Sequence, residues 1–211
     1  MAQIVLLNKI RTLFRHPMSC LIKLFSFPFW KMVCKEYHWT DYISMLSFIT
    51  PQYLAVKGNV HVRYGCRIEG VTCYNNQRFS PTIVFEKGVS IEQNLHLTCA
   101  QSIVIGKNTS IAANVTITDI HHRYDNPLIP IEQQDIMVLP VIIGEGCKIY
   151  NNVTILPGVQ IGNHVTVGAN SVVNRNLPDF CVAVGVPAFV VKRFDTKRNE
   201  WRRTDKNGIF V

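Results

Sequence analysis

The chain has 211 residues, a mass of 24.0 kDa and a net charge of +8, and its 47% hydrophobic content excludes a disordered tail or a collagen-like fibre. Residues 1–36 contain six Lys and Arg residues and one acidic residue, and residues 192–211 contain seven and three. The stretch between these two ends contains nine basic and ten acidic residues. A nucleic-acid reader usually carries its basic patch on the folded body, so no nucleic-acid partner is expected here.

Residues 1–55 form a basic and aromatic N-terminal segment that we expect to be helical. Its most apolar stretch is interrupted by Lys23, Pro28 and Lys31 before it reaches the ~20 residues that a bilayer crossing needs, and no signal-peptide cleavage site follows it. Two interpretations stay open. The segment packs as short helices on the end of the main domain, or it makes a peripheral contact with an anionic membrane surface.

A six-residue period organises the middle of the chain. Steps of six land on β-branched aliphatic residues at Ile143, Ile149, Ile155, Ile161, Val167 and Val173. The fourth position of each six, where Gly and Asn predominate, holds Gly146, Asn152, Gly158, His164 and Asn170. Gly and Asn tolerate a left-handed backbone, so each six is a short strand followed by a corner, and His164 is expected to be an exposed turn residue. Three sides close a coil that must stack on its neighbours, which predicts a parallel β-solenoid.

The same period continues upstream in a shifted phase. The residues at six-residue intervals are Phe85, Ile91, Leu97 and Ile103 in one run, and Ile105, Ile111 and Ile117 in the next. The slip of two residues between these runs predicts a small bulge. The gap from Ile117 to Ile143 contains three prolines, which cannot join an inner ladder. We therefore expect a β-solenoid domain over residues 56–191, an extruded loop at 121–140, and a solvated basic C-terminal tail at 192–211.

Seven cysteines are scattered along the chain without CxxC or CxxxC spacing. Single thiols in a chain of this size are typical of small buried side chains in a reducing compartment. We therefore expect a cytoplasmic protein, located at the inner face of the membrane if the N-terminal segment contacts lipid.

A specific resemblance is carried by IGEGCKIYNNVTILPGVQIGNHVTVGANSVV followed by GVPAFVVKR. This stretch resembles the hexapeptide-repeat acyltransferases, most closely the sugar O-acetyltransferases of the galactoside and xenobiotic acetyltransferase type in polysaccharide assembly. The resemblance implies an all-β fold, a left-handed parallel β-helix that forms a homotrimer. It also implies acetyl-CoA as cosubstrate between subunits, no metal, and acetyl transfer to a sugar hydroxyl of a surface polysaccharide or its precursor.

The candidate chemistry lies where the repeats break, at residues 118–126, which read TDIHHRYDN. In the resembling enzymes a histidine on such a loop is the general base that deprotonates a sugar hydroxyl, which then attacks the thioester directly. If the register from Ile117 holds, His121 points into the coil and His122 points out of it. The resemblance favours His122, with His121 as the second candidate and a purely structural pair as the third.

Three neighbours complete this candidate site. Asp119 is close enough in sequence to orient an imidazole, as a carboxylate does in a catalytic triad, or else it is a turn-forming residue. By the resemblance, Tyr124 and Asp125 contact the acceptor.

For the cofactor, the resemblance implies a groove along the coils and basic residues at the phosphates. The matching positions are Asn151 and Ala169 along the pantetheine arm, and Arg175 and Lys192 near the end of the solenoid. Relatives often have an aromatic residue where this chain has Lys148. The floor of the groove therefore differs here.

Three alternatives to a sugar O-acetyltransferase stay open. The first is N-acetylation of an amino sugar nucleotide, which the sequence hardly separates from O-acetylation. The second is a non-enzymatic scaffold built on the same repeats. The third, a zinc enzyme of the γ-carbonic anhydrase type, needs three converging histidines, whereas only the adjacent pair His121 and His122 is near the break.

Overall fold

The structure is a computed structural model that describes residues 17–44, 47–205 and 208–211, and the side chains from residue 25 onward within these ranges. Its helical elements are α1 (Pro17–Val33) and two 3₁₀ turns, Pro51–Tyr53 and Ile131–Gln133. Its strands are β1 (Tyr42–Ile43), β2 (Phe48–Ile49), β3 (Leu54–Val56), β4 (His61–Val62), β5 (Arg67–Gly70), β6 (Cys73–Tyr74), β7 (Gln77–Arg78), β8 (Thr82–Phe85), β9 (Ser90–Ile91), β10 (His96–Cys99), β11 (Ser102–Ile105), β12 (Ser110–Ile111), β13 (Thr116–Thr118), β14 (Ile120–His122), β15 (Ile136–Val138), β16 (Val141–Ile143), β17 (Lys148–Ile149), β18 (Thr154–Ile155), β19 (Gln160–Ile161), β20 (Thr166–Val167), β21 (Val172–Val173), β22 (Cys181–Val184), β23 (Phe189–Asp195) and β24 (Glu200–Arg203).

Most of these strands lie on three faces that together form a triangular prism. Face A has the strand order β19-β16-β11-β8-β3, and face C has the order β2-β5-β10-β13-β18-β21. Face B runs β1-β4-β9-β12-β17-β20-β22 and continues into β23 and β24. Along the chain the faces follow in the order A, B, C, and strands one coil apart pair in parallel. The predicted parallel β-helix is confirmed.

The core is a set of aliphatic columns inside the prism. The predicted inward residues from Phe85 to Val173 are all buried. Equivalent residues stack on one another from coil to coil, as Ile111 does on Ile149 and Ile149 on Val167. Because burial of each such side chain contributes about 1.5–3 kcal/mol, stability comes from stacking several coils.

The predicted corner residues adopt the left-handed backbone. The angle φ is +53° to +79° at Gly146, Asn152, Gly158, His164 and Asn170. His164 is exposed, as expected, and its ring stacks on that of Phe180 at 5.3 Å between centroids.

A ladder of asparagine amides runs along the corner between faces B and C. Nδ2 of each residue donates to Oδ1 of the next along Asn94, Asn114, Asn152 and Asn170, at 3.0, 3.2 and 2.9 Å.

We expect Asn152→Ala to lower the free energy of unfolding by about 1–2 kcal/mol, because alanine disfavours φ of +60° and the substitution removes two of these hydrogen bonds. Urea denaturation measures this. Asn152→Gly, which keeps the backbone angle, should cost less, and an equal cost for both would contradict the backbone contribution.

Three irregularities are stacked at the corner between faces C and A. The length of each coil is the sequence separation between paired residues on face C. That separation is 18 for the pair Thr154 and Val172, but 29 for the pair Arg67 and His96. It is 20 for the pair His96 and Thr116, and 38 for the pair Thr116 and Thr154. The spacing of 20 confirms the predicted two-residue slip, and 38 confirms the extruded loop. The spacing of 29 contains an antiparallel hairpin, β6–β7, which the sequence analysis did not anticipate.

The N-terminal segment packs on the solenoid as far as the structure describes it. Trp30 of α1 is buried and its Nε1 donates to the carbonyl of Ile43 at 3.0 Å. Strands β1 and β2 already belong to faces B and C, so the solenoid begins before the predicted boundary at residue 56. Residues 1–16 lie outside the description. No helix of the described ranges combines the length and the apolar character that crossing a membrane requires.

The C-terminal residues extend the sheet and do not form the solvated tail that was expected from residue 192. Strand β23 runs through that boundary and pairs with both β22 and β24. Asp195 is buried and accepts from Nη1 of Arg202 at 3.0 Å. Cross-strand pairing and this ion pair therefore hold the segment in place.

The described thiols behave as small core side chains, with one exception. Cys34, Cys66, Cys99, Cys147 and Cys181 are buried, whereas Cys73 is exposed. Burial, and then the Asp41 charge, raise the pKa of Cys34 to about 12. Burial raises the pKa of Cys181 to about 11, although the Arg193 charge opposes the rise. The side chain of Cys20 lies outside the description.

Candidate functional site

The two histidines lie on β14, outside the coil. After Ile117 the chain turns at Asp119 and leaves the prism, so the register does not continue and the inward position predicted for His121 is wrong. Because neighbouring side chains of a strand point to opposite faces, the two rings separate. His122 lines a groove of about 430 Å³ on face C, whereas the ring of His121 lies 5.7 Å from that of Tyr124.

The groove beside His122 crosses three coils of face C and is lined by hydroxyl-bearing and charged side chains together with the apolar residues Val71, Ile120 and Ile136. Its polar lining residues are Arg67, Glu69, Tyr74, His96, Thr98, Thr116, Thr118 and His122. The Thr98 hydroxyl donates to Oγ1 of Thr118 at 2.9 Å. At one end the ring of Tyr74 meets the His122 imidazole edge to face, with 5.1 Å between centroids. Such a groove can offer hydrogen bonds to a polyhydroxylated ligand while an imidazole faces it.

Asp119 is a structural cap in this protein. It is fully buried, and its carboxylate accepts from the backbone N–H groups of residues 100, 101 and 102 at 2.7–2.9 Å and from the Cys99 thiol at 3.4 Å. Within the described chain its carboxylate bonds go to this bulged corner and not to either imidazole. Burial, followed by the Asp119 charge, raises the pKa of Cys99 well above its ordinary value, which keeps the thiol a donor. The geometry therefore favours the turn-forming alternative over imidazole orientation.

The other two residues expected near the acceptor lie away from His122. Asp125 is paired with Arg123, whose Nε donates to its carboxylate at 2.7 Å, and it lines a separate hollow of about 600 Å³ inside the loop. Tyr124 is 65% exposed and stands beside His121. Neither Tyr124 nor Asp125 lines the groove that holds His122.

Sequence reasoning missed the tip of the β6–β7 hairpin, which contributes Tyr74 to the groove. The signal was present, because Tyr74 and Gln77 flank an Asn-Asn pair and Asn75 adopts φ of +48°, which is typical of a two-residue hairpin turn. The described residues contain no group of three His, Cys, Asp or Glu side chains placed to hold a metal ion.

Comparison with known proteins identifies the family. The sequence profile described as bacterial transferase hexapeptide (six repeats) matches residues 140–175. A dTDP-4-amino-4,6-dideoxy-D-glucose acyltransferase of Escherichia coli is 30% identical over 139 residues, which make up 59% of this chain and 71% of that protein. The chain belongs to the hexapeptide-repeat transferase family. The resemblance read from the repeats is confirmed.

Two further similarities refine this placement of the hexapeptide-repeat transferase. WbbJ of Escherichia coli K12, named as a lipopolysaccharide biosynthesis O-acetyl transferase, is 36% identical over 57% of this chain. The match spans 65% of WbbJ, slightly under two thirds of its length. The structure of AntD, an N-acyltransferase from Bacillus cereus in complex with dTDP and 3-hydroxybutyryl-CoA, superposes with a TM-score of 0.67 at 21% identity over 81% of this chain and 89% of AntD. The fold is the left-handed parallel β-helix.

The positions that the resemblance assigned to the cofactor fall on several edges of this hexapeptide-repeat transferase. Asn151 and Ala169 are exposed neighbours, one coil apart, at the corner between faces B and C. Arg175 follows β21 with its guanidinium 4.8 Å from the centre of the Phe189 ring, and Lys192 is exposed on β23. The loop that carries His122 leaves the prism at the corner between faces C and A. One protomer therefore does not place the pantetheine positions beside its own His122.

Lys148, which the resemblance placed at the floor of the cofactor groove, lies on β17 of face B and does not line the groove beside His122. The Lys148 ammonium donates to Oγ of Ser110 at 2.9 Å and lies 5.6 Å from the centre of the Tyr150 ring. Tyr150 is 43% exposed, so an aromatic side chain is present two residues beyond the position where relatives often carry one. Tyr150 was not among the predicted cofactor residues.

Proposed function

We propose that this protein is an acetyl-CoA-dependent O-acetyltransferase that modifies a sugar hydroxyl of a surface polysaccharide or its precursor. The observation that carries the proposal is the placement of the His122 imidazole at a groove on a rigid β-helix, where hydroxyl-bearing and charged side chains and the imidazole of His96 also line the wall. The similarity to WbbJ supports transfer to oxygen, and the similarity to the dTDP-amino-sugar acyltransferase supports a sugar acceptor.

In this mechanism His122 acts as general base. Its neutral imidazole accepts the proton of an acceptor hydroxyl held in the groove, and the hydroxyl oxygen attacks the thioester carbonyl carbon. The new C–O bond replaces the C–S bond, and the proton passes from the imidazole to the departing CoA sulfur. General-base assistance of this kind contributes roughly 10²–10⁴ in rate, and positioning of both substrates supplies much of the rest.

The second candidate is N-acetylation of an amino sugar nucleotide, which the named activity of the Escherichia coli relative favours. Incubation with acetyl-CoA and a panel of glycans and amino sugar nucleotides tests both, with CoA release and product mass as readouts. We expect a gain of one acetyl group that mild alkali removes, because an ester hydrolyses where an amide does not. An alkali-stable product would favour N-acetylation, and no transfer to any acceptor would favour the scaffold alternative.

We propose that the active assembly is a homotrimer. The pantetheine positions Asn151 and Ala169 lie on a different corner of the prism from His122, so a neighbouring protomer is needed to bring the thioester to the imidazole. Light scattering at micromolar concentration should give three times the single-chain mass of 24.0 kDa. A mass of one chain would contradict this assembly.

A peripheral membrane contact through the N-terminal segment is part of the proposal. The side chains of Phe25 and Met32 are each 78% exposed on α1, and Phe29 is 41% exposed between them. Exposed aromatic residues beside a basic segment suit an anionic lipid surface, and the buried thiols suit a cytoplasmic location at the inner membrane face.

Vesicle flotation tests this contact. The full chain should float with anionic vesicles and remain behind with neutral ones. Phe25→Ser combined with Met32→Ser should reduce flotation without lowering the melting temperature, because neither side chain packs in the core. Equal binding of both proteins would contradict the contact.

A further inference from the structure

The β6–β7 hairpin reaches over the bulged coil and holds the loop that carries His122. We call residues 119–140 the histidine loop. Three side chains at the hairpin tip, those of Tyr74, Asn75 and Gln77, bond to main-chain groups at alternate positions of this loop, residues 132, 134 and 136.

Gln77 makes the most specific of these contacts. Its Nε2 donates to the carbonyl of Ile136 at 3.1 Å, and its Oε1 accepts from the Ile136 N–H at 2.7 Å. The side-chain amide therefore engages both backbone groups of one residue, as a neighbouring strand would. Ile136 is buried, so these two groups have little access to water.

Ile136 is the residue directly opposite His122 in the β14–β15 pair. The Arg123 N–H donates to the carbonyl of Asp135 at 3.2 Å, beside this pair. This pattern makes His122 and Ile136 a non-hydrogen-bonded pair, in which Cα atoms are about 4.5 Å apart and the side chains are in close proximity. The N–H and C=O groups of Ile136 therefore point away from β14, and these are the groups that hydrogen-bond to the Gln77 side chain.

Asn75 and Tyr74 fix the preceding part of the loop. Nδ2 of Asn75 donates to the carbonyls of Glu132 and Gln134 at 3.3 and 3.0 Å. The Tyr74 hydroxyl lies 3.0 Å from the Glu132 carbonyl and 2.9 Å from its Oε2. Partial burial, and then the Glu132 carboxylate, raise the pKa of Tyr74, so the phenol remains a donor. The same tyrosine ring touches the His122 imidazole.

We infer that Gln77 is a positioning residue for His122, acting through Ile136. The inference rests on the proposed function, in which His122 is the base. Without the amide clamp, β15 can shift relative to the groove and carry the imidazole with it. A displacement of about 1 Å at a reacting group costs up to 10²-fold in rate. The positions assigned to the pantetheine arm, Asn151 and Ala169, lie at another corner of the prism and would not be displaced.

The test compares Gln77→Ala with Asn76→Ala, a matched control. Each substitution removes one side-chain amide from the hairpin tip, where Asn76 is in the two-residue turn and Gln77 directly follows it. Asn76 is exposed and is not one of the three residues that bond to the histidine loop. We expect Gln77→Ala to lower kcat about tenfold with KM for acetyl-CoA unchanged. Hydrogen exchange of the Ile136 amide should accelerate about tenfold, because its acceptor is lost. The control should leave kcat, KM and exchange as in the parent.

The outcomes separate this inference from the function on which it rests. If His122→Ala is inactive while Gln77→Ala turns over at the parent rate, or if the Ile136 amide exchanges as before, the positioning role is wrong and the base assignment stands. If His122→Ala turns over at the parent rate, both are wrong. A Gln77→Ala protein that loses activity by global unfolding would show faster exchange throughout the β-helix, and that result would also overturn a local role.

Discussion

Replacement of His122 by alanine is expected to lower kcat by roughly 10²–10⁴-fold, the contribution of a positioned general base. The side chain is exposed at the groove and its ring contacts that of Tyr74, so its removal should leave the fold intact. Steady-state kinetics with acetyl-CoA and the acceptor found in the screen measure the loss, and thermal unfolding confirms the fold.

His121→Ala is the matched control for this prediction. It removes the same ring from the adjacent position of β14, but on the opposite side of the strand, where the neighbour is Tyr124. We expect its kcat to stay within a few-fold of the parent. If His121→Ala were the more damaging substitution, His121 would be the base. Parent activity in both variants would exclude both loop histidines as the base.

The regular part of this fold could be predicted from the sequence because its signal is local. Each inward residue from Ile143 to Val173 recurs at the same interval, and each corner carries a residue suited to positive φ. The first coils lack that regularity, so the solenoid was predicted to start at residue 56, and the hairpin that begins after Gly70 was not predicted.

The candidate site could be predicted only in part, because its geometry depends on contacts between coils. His122 was preferred on the resemblance, whereas the argument from register placed His121 inside the coil. The orientation depends on where the chain leaves the prism. Asp119 sets that point, and its hydrogen-bond partners lie 17–20 residues earlier. Sequence spacing does not contain that contact. The same is true of Gln77 and Ile136, which are 59 residues apart.

The second large effect is expected at Asp119, and it falls on stability. Asp119→Ala leaves the backbone N–H groups of residues 100–102 without their acceptor at a corner where Ala100 is buried. An unpaired buried polar group costs about 1–3 kcal/mol, and residues 101 and 102 are accessible enough for water to replace part of the loss. We therefore expect the free energy of unfolding to fall by roughly 3 kcal/mol. Urea denaturation followed by circular dichroism measures the change.

Asp125→Ala is the control for Asp119→Ala, since it removes the same side chain from an exposed position in the same loop. Its effect should stay within about 0.5 kcal/mol. Asp119→Asn separates capping from a catalytic role, because an amide keeps one acceptor oxygen but turns N–H groups toward backbone donors. If Asp119 is a cap, Asp119→Asn should be destabilised, yet the fraction that remains folded should retain the parent kcat. A stable Asp119→Asn protein with a greatly lowered kcat would instead restore the carboxylate as the partner of an imidazole.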